Sequence, residues 1–174
     1  EPCRDVFYLP QIASGFIAQE PGVTLQNVVL ADGTAATAVY GLERPALGAA
    51  VLHFVPGEQP AQTSRFVYDG KTLTTPLLQV QLDELGRITS LVTRADGMQW
   101  TDGPMNTLLM AEDVSAGWDG WDIDADCMMK LQPAARLTKQ TVTADGPQEF
   151  RLHSRYELGT ATILEQDMIF RAES

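Results

Sequence analysis

The chain has 174 residues, of which 44% are hydrophobic and 20% charged, and its 12 basic and 23 acidic side chains give a formal net charge of −11. This length and composition are sufficient for a buried core, either in one large domain or in two small ones. The acidic excess has no basic cluster within it and repels phosphate backbones and anionic lipid, and no apolar run reaches the length of a membrane span. We therefore expect neither nucleic acid nor a membrane among its partners.

The first strands are predicted from short apolar runs and one turn. Residues 5–9 form an apolar run that a proline closes, which is typical of a strand. Residues 25–30 and 34–40 are also predicted strands, and the Asp32-Gly33 pair between them suits a tight hairpin turn. This part of the chain therefore predicts an antiparallel hairpin.

A boundary between two domains is predicted at a proline-rich segment. Residues 11–22 carry Ser, Gly and Pro without a period and predict a loop, whereas residues 49–55 alternate as a strand does. The segment 56–60, Pro-Gly-Glu-Gln-Pro, is the best linker candidate because it combines two prolines with a glycine. We expect a small, incomplete β-domain over 1–60 and a larger β-domain over 61–174.

The strands downstream of this linker are longer and alternate more regularly. Residues 78–83 alternate apolar and polar side chains, which is typical of a half-buried antiparallel strand. Residues 87–93 return after a Glu-Leu-Gly turn, and we expect Ile88 and Val92 to face the core. Residues 134–143 fit a helical turn or a strand, and their β-branched run favours the strand.

The last two predicted strands form a hairpin over residues 149–158 and 161–171. The first of them is expected to have one dry and one wet face. The dry face would comprise Phe150, Leu152, Ser154, Tyr156 and Leu158, and the wet face Glu149, Arg151, His153, Arg155 and Glu157. Residues 172–174 follow the second strand directly and would leave an exposed sheet edge, which favours a piece of a longer domain.

The stretch 106–126 is the part of the chain least like generic scaffolding. It contains two tryptophans and four closely spaced aspartates, namely Trp118, Trp121, Asp119, Asp122, Asp124 and Asp126. Flat apolar rings beside carboxylates suit the face and the hydroxyl edge of a sugar. The same residues also suit a surface loop whose tryptophans cover a sheet while the aspartates cap turns. The residues alone leave both interpretations open.

Other chemistries find little support. No GxSxG, GxGxxG, GxxxxGK[ST] or HExxH motif is present, and His53 and His153 are expected to be half-exposed strand residues. An EF-hand is rejected because Cys127 stands where its glycine belongs, although an irregular metal site stays open. Asp122 and Asp124 would lie about 7 Å apart on one side of a strand, a weak indication of paired catalytic carboxylates.

The cysteines and the start of the chain favour a cytoplasmic protein. Cys3 and Cys127 lie far apart and have no CxxC or Cys/His spacing around them. Reduced thiols are the expected state, although a single disulfide stays open. Residues 1–5 have neither the basic start nor the apolar stretch of a secretory signal.

Several segments together resemble glycoside hydrolase family 38, the α-mannosidases. The order of segments matches that family's small β-domain and the first part of its large C-terminal β-domain. The segments from the large domain are Gly86-Arg87-Ile88-Thr89-Ser90-Leu91, Asn106-Thr107-Leu108-Leu109, Glu112-Asp113, the box Trp118-Asp119-Gly120-Trp121-Asp122-Ile123-Asp124, Asp145-Gly146-Pro147 and Ile163-Leu164-Glu165-Gln166-Asp167-Met168-Ile169. Those from the small domain are Arg4-Asp5-Val6 and Pro45-Ala46-Leu47-Gly48. The box is the specific part of the resemblance.

This resemblance implies an all-β fold: an antiparallel β-sandwich, a partial galactose-mutarotase-like supersandwich preceded by the small β-domain. It also implies a retaining, zinc-dependent α-mannosidase whose catalytic aspartate and zinc ligands lie in an N-terminal α/β barrel. Nothing in this chain matches that barrel. No cofactor is therefore expected in this chain, and no catalytic residue or metal ligand is predicted in it. Trp118, Asp119, Trp121, Asp122 and Asp124 are predicted to bind substrate or border the sugar site.

Three functions remain open from the sequence. The leading one is a non-catalytic β portion of an α-mannosidase in mannose metabolism, inactive alone and packed on its own catalytic domain. In it, residues 106–126 would brace or border the cleft for an α-mannoside or another glycan, with buried bracing favoured. The second is a stand-alone carbohydrate-binding module in which Trp118 and Trp121 stack on a sugar. The third is a structural scaffold without sugar function.

Overall fold

The computed structural model describes residues 6–114, 117, 123 and 125–173. These residues form antiparallel strands and one short helix, α1 (Cys127–Lys130). The strands are β1 (Phe7–Pro10), β2 (Phe16–Ala18), β3 (Thr24–Val29), β4 (Ala35–Tyr40), β5 (Phe54–Pro56), β6 (Val67–Tyr68), β7 (Thr72–Thr74), β8 (Leu78–Leu82), β9 (Ile88–Thr93), β10 (Leu109–Met110), β11 (Gln132–Pro133), β12 (Ala135–Asp145), β13 (Glu149–Leu158) and β14 (Thr162–Arg171). Within the described residues, no helix is both long and apolar enough to cross a membrane.

The N-terminal sheet contains the predicted hairpin. Its strand order is β1-β4-β3, and β3 and β4 are joined by the Asp32-Gly33 turn. Gly33 has a φ of +83° and donates its backbone N–H to the carbonyl of Leu30, while the Asp32 carboxylate accepts from the backbone N–H of Thr34. Glycine tolerates this conformation without a steric penalty, so the prediction of the hairpin is confirmed.

Two predictions for the first sixty residues were wrong in part. The segment 11–22 contains a strand, β2, and the strand expected over 49–55 is reduced to β5. The two pair with each other in a two-stranded sheet. Alternation over 49–53 indicated a strand, but a strand also needs a backbone partner, and the partner β2 is only three residues long. The domain boundary at residue 60 stays a prediction.

A β-sandwich forms the second half of the chain. One sheet has the strand order β6-β7-β8-β9, and the other has β12-β13-β14. Apolar side chains from both sheets fill the space between them, as alternation along β8 and β13 predicts. The buried members of this core are Phe66, Leu73, Val80, Leu82, Phe150, Leu152 and Ala172. The predicted strands over 78–83, 134–143, 149–158 and 161–171 are therefore confirmed, with ends shifted by a few residues.

A bulge in β9 changes which side chains reach this core. Leu82 pairs with Ile88 and Gln81 with Ser90, so Thr89 has no partner on β8. The extra residue shifts the alternation by one position. Ile88 packs against the core as predicted, but the second inward residue is Leu91. The prediction for Val92 was wrong because the inward–outward alternation of side chains holds only where the pairing of β8 with β9 has no bulge.

The predicted wet face of β13 was also wrong at one end. Glu149 is fully buried, and only 3% of Arg151 is exposed. The N-terminal sheet covers this end of the strand and shares a small apolar cluster with β12. The buried members of that cluster are Val28, Ala36, Ala38, Tyr40 and Ala144. Both faces of β13 are therefore buried near Glu149, and only its far end is wet on one side.

Candidate functional site

The five residues predicted from the sequence as a sugar site lie outside the described residues. They are Trp118, Asp119, Trp121, Asp122 and Asp124. The described parts of the stretch are its start at residues 106–114 and its end at 125–126, with residues 117 and 123 between them. The start is fixed to the sandwich by polar contacts, and these contacts define the first of two polar clusters.

The first cluster, here called the amide row, crosses the middle of the β12-β13-β14 sheet on its core side. Gln140, Ser154 and Gln166 are cross-strand neighbours in register. Gln140 Nε2 donates to Ser154 Oγ at 3.1 Å. The amides of Gln166 and Asn106 exchange two hydrogen bonds, at 2.9 and 2.8 Å. Asn106, the first residue of the stretch, is thereby held on the sandwich.

The backbone at Asn106 and Gly86 requires these residue types. Asn106 has a φ of +59°, a left-handed conformation that asparagine tolerates better than most residues. Gly86 has a φ of +75°, and a Cβ there would lie 2.5 Å from the hydroxyl oxygen of Tyr156. Tyr156 is buried, and its burial raises the pKa of the phenol. Gly86 therefore allows the loop after β8 to sit directly on this ring.

The second cluster, here called the charge cluster, lies on the opposite face of β13. Arg151 Nε donates to Glu149 Oε1, and Arg151 Nη1 donates to Asp167 Oδ2, both at 2.9 Å. The phenols of Tyr8 and Tyr40 donate to Glu149 Oε2 at 2.8 and 2.7 Å. The Arg151 guanidinium also lies 5.2 Å from the centre of the Tyr8 ring. Two strands of the N-terminal sheet are thus bound to one carboxylate of the sandwich.

The pKa shifts in the charge cluster arise chiefly from burial and from the Glu149 carboxylate. Burial raises the pKa of Tyr40, and hydrogen bonding to the Glu149 carboxylate raises it further. The same two causes raise the pKa of Tyr8. Burial alone would lower the pKa of Arg151, but the charge and hydrogen bond of Glu149 together with the charges of Tyr8 and Asp167 outweigh burial, and the net shift of the pKa is upward. Both phenols are therefore neutral donors, and the guanidinium keeps its charge.

Gln26 supports the same contact between the sheets through the backbone. Its Oε1 accepts from the backbone N–H groups of Gln148 and Glu149, each at 2.9 Å, and its Nε2 donates to the carbonyl of Glu149 at 2.7 Å. A Cβ at Gly146 would lie 2.5 Å from the Gln26 amide carbon. The buried amide of Gln26 therefore has partners for both its oxygen and its nitrogen, which burial requires.

The charge cluster and the Gln26 contacts are suited to holding the N-terminal sheet in place on the sandwich. The carboxylates of Glu149 and Asp167 are both held by Arg151. Charged groups in such pairs stabilise one geometry and are poorly placed to exchange protons with a substrate. Among the described residues, no group of three or more His, Cys, Asp and Glu is arranged to hold a metal ion.

The remaining candidates from the sequence have ordinary surroundings. His153 lies on β13 and its Nδ1 is 2.7 Å from Asp167 Oδ1, so the expectation of a strand residue is confirmed. The same expectation was wrong for His53, which lies just before β5 with its Nδ1 2.7 Å from Glu20 Oε1 and its side chain 61% exposed. The thiol of Cys127 is free, and Cys3 lies outside the described residues. The cytoplasmic location stays a prediction.

Both polar clusters were missed by sequence reasoning, although residues of the amide row lie in segments that it singled out. Gly86, Asn106 and Gln166 each belong to a segment quoted for the family resemblance, and the structure brings the three together. The charged residues at alternate positions of β13 suggested a solvated face. The signal that could have corrected this is Asp167, which the hairpin register places directly opposite His153 and beside Arg151.

Comparison with known families gives the class of the domain. A sequence model of the glycosyl hydrolases family 38 C-terminal domain matches residues 73–174. Since the match covers more than half of the chain, this protein belongs to glycosyl hydrolase family 38. The predicted family resemblance and the predicted antiparallel, all-β sandwich are both confirmed. A search of curated proteins found no match to the chain.

Proposed function

We propose that this chain is the non-catalytic β portion of a zinc-dependent, retaining α-mannosidase and packs on the catalytic domain of that enzyme. The observation that carries the proposal is the match of residues 73–174 to the family's C-terminal domain. Zinc and the catalytic carboxylate belong to the catalytic domain in this proposal. The ion pairs of the charge cluster support a structural role, since Arg151 already pairs with the carboxylates of both Glu149 and Asp167.

The amide row supports a role for the stretch 106–126 in the proposed function. The Asn106 amide is bound to Gln166, halfway along the outer strand β14, so the stretch leaves the sandwich from a fixed point. A rigid origin is what a loop needs if it is to brace or border a cleft on a neighbouring domain. We assign that role to Trp118, Asp119, Trp121, Asp122 and Asp124, with bracing favoured over direct sugar contact.

Hydrolysis of an aryl α-mannoside tests this proposal. The chain alone is expected to be inactive with and without added zinc, and a parent chain that contains both it and a catalytic domain is expected to be active with zinc. Activity of the chain alone would contradict the proposal and would make the aspartates of the stretch catalytic candidates. Inactivity of both, combined with mannoside binding by the chain, would support a carbohydrate-binding module.

Substitution in the parent enzyme distinguishes bracing from sugar contact. If the stretch braces the cleft, Trp118→Ala and Trp121→Ala are expected to lower both the thermal midpoint and kcat. If the rings contact the sugar, the same variants raise KM and leave the thermal midpoint unchanged. Trp100→Ala is the matched control, because Trp100 is 60% exposed and lies outside the stretch. An unchanged enzyme in both variants would contradict any role for the rings.

A further inference from the structure

Asp-Gly pairs recur along this chain, and each is a place where the backbone can react with its own side chain. The pairs lie at residues 32–33, 69–70, 96–97, 102–103, 119–120 and 145–146. In such a pair the backbone nitrogen of the glycine attacks the side-chain carboxyl carbon of the aspartate and closes a five-membered succinimide ring. Glycine favours the closure because it has no Cβ to crowd the attacking nitrogen. The two groups must also be free to meet.

Three of the pairs lie in turns that hold the aspartate carboxylate away from the glycine nitrogen. In each of them the carboxylate accepts from backbone N–H groups further along the turn. These donors are Thr34 to Asp32, Lys71 and Thr72 to Asp69, and Met98 to Asp96. The N–H groups of Gly33 and Gly97 also donate to backbone carbonyls. A carboxylate bound in this way is directed at the residue two positions on, so ring closure first has to break the turn.

The pair at residues 145–146 is held from both sides. Ser64 Oγ donates to the carboxylate of Asp145, and the N–H group of Gly146 donates to the carbonyl of Glu149 at 3.2 Å. Gly146 is buried, and a Cβ there would lie 2.5 Å from the amide carbon of Gln26. Neither reacting group of this pair is free to turn towards the other.

The pair Asp102-Gly103 is different. Both residues are exposed, and a Cβ at Gly103 would meet nothing within 4 Å. Within the part of the chain that the structure describes, no hydrogen bond engages the Asp102 carboxylate or the Gly103 N–H group. Both reacting groups are therefore free at this pair. The pair at residues 119–120 lies outside the described residues.

We propose that Asp102 is a site of spontaneous covalent modification, at which aspartate becomes isoaspartate through a succinimide formed with Gly103. The Gly103 nitrogen forms a bond to Asp102 Cγ and loses its proton, while the carboxyl group loses its hydroxyl, and the two leave as water. A second water molecule then adds to the main-chain carbonyl carbon of Asp102 and breaks its bond to the nitrogen. The chain now continues through Cγ. One water is lost and one is gained, so no other reactant is needed.

The turn has room for the product, which adds one carbon atom to the backbone. Both ends of the turn are fixed to β9. The Trp100 N–H group donates to the carbonyl of Leu91 at 2.8 Å, and Met105 and Ile88 exchange two backbone hydrogen bonds at 2.9 and 3.1 Å. Residues 102–104 between these anchors are exposed, so a longer backbone can bulge into solvent. The reaction requires neither a catalytic domain nor a sugar, so this proposal is independent of the proposed function.

Incubation of the folded chain in H₂¹⁸O at neutral pH, followed by peptide mapping with mass spectrometry, tests this site. Residues 145–147 repeat the tripeptide of residues 102–104, Asp-Gly-Pro, and are the matched control. Isoaspartate carrying one ¹⁸O atom is expected at residue 102 at least about tenfold faster than at residue 145, where two hydrogen bonds must first break. In urea the two rates are expected to become equal.

Two results would overturn the proposal. One is a rate in the folded chain that is equal at the two residues or faster at residue 145. The other is a difference that persists in urea, because it would then come from the neighbouring sequence and not from the fold.

Two variants at the pair test the ring closure itself. Asp102→Glu lengthens the side chain, so that a six-membered ring would have to form, and is expected to abolish the modification at residue 102. Gly103→Ala places a Cβ in open space beside the attacking nitrogen and is expected to slow the modification without changing the thermal midpoint. The rate at residue 145 should be the same in both variants as in wild type. An unchanged rate at residue 102 in Gly103→Ala would contradict attack by the Gly103 nitrogen.

Discussion

The two faces of β13 carry polar clusters of different chemistry. The core side has the amide row, in which neutral amides and a hydroxyl are matched across three strands. The other side has the charge cluster, in which Glu149, Arg151 and Asp167 are buried together. Burying neutral hydrogen-bonded groups has a moderate desolvation cost, whereas burying ions has a large one unless every charge is paired.

This difference assigns the clusters to different tasks. The amide row is local to the sandwich and fixes the origin of the stretch at Asn106. The charge cluster connects the N-terminal sheet to the sandwich, because the phenols of Tyr8 and Tyr40 reach the same oxygen of Glu149. Removing a charge from the charge cluster should therefore destabilise both the N-terminal sheet and the sandwich. Removing an amide from the amide row should loosen only the loop at Asn106.

The largest effect is expected from Arg151→Met. This change leaves Glu149 and Asp167 buried without their cation, which typically costs about 3–5 kcal/mol of unfolding free energy. Arg155→Met is the matched control, because Arg155 also pairs across to β14 but both partners are about 40% exposed. Its expected cost is about 0–1 kcal/mol. Urea unfolding measures both, and equal costs would mean that the charge cluster contributes no more than a surface pair.

The next effect is expected from Gly86→Ala. The left-handed backbone costs about 1–2 kcal/mol for alanine, and the Cβ placed 2.5 Å from the Tyr156 hydroxyl adds about 1–3 kcal/mol of overpacking. Gly97→Ala separates the two causes, since Gly97 has a φ of +71° and open space around its Cβ position. In a Tyr156→Phe background, Gly86→Ala should cost no more than Gly97→Ala. A cost that persists there would refute the steric explanation.

A smaller effect is expected from breaking the amide row. Gln166→Leu leaves the Asn106 amide without its two bonds and should cost about 1–3 kcal/mol. Asn106→Gly removes the same hydrogen bonds, and glycine adopts the left-handed backbone conformation without strain. The double variant should cost about 1 kcal/mol less than the sum of the two single changes, as measured by a thermodynamic cycle. Strict additivity would show that the amide pair carries no coupling.

The smallest effect is a change in alkaline stability. The raised pKa of Tyr40 means that the folded chain keeps a proton which the unfolded chain releases near its ordinary pKa of 10.0. The stability from this phenol is therefore complete below pH 10 and falls as pH rises beyond it. Tyr40→Phe should lower the thermal midpoint below pH 9 by a constant amount, and its curve should approach that of wild type above pH 10. Parallel curves over the whole range would contradict the assignment.

Alternation along the chain predicts most of the sandwich because the inward and outward directions of a strand are local properties. The strands β8, β12, β13 and β14 and the β3–β4 hairpin follow from that rule and from turn chemistry. The bulge at Thr89 and the pairing of β2 with β5 depend on partner strands, which a local pattern does not contain. These are the places where the prediction failed.

The two polar clusters also differ in how much of them the local sequence indicated. Asn106 and Gln166 of the amide row lie in segments that the sequence marked by their family-like order, although their contact was not predicted. The charge cluster was hidden because a strand with charges at alternate positions has the same sequence whether its outer face meets water or another sheet. What buries Glu149 is the N-terminal sheet, more than a hundred residues earlier in the chain. The roles predicted for the five residues between 118 and 124 stay predictions.

The central claim is that the charge cluster makes the N-terminal sheet and the sandwich one cooperative unit. Native-state hydrogen exchange of the backbone amides in the two central strands, β4 and β13, tests it most directly. We expect both strands to exchange through one opening reaction with the same free energy, and we expect that free energy to fall equally in Arg151→Met. Exchange of β4 at a distinctly lower free energy than β13 would contradict the claim and would indicate an independent domain over residues 1–60.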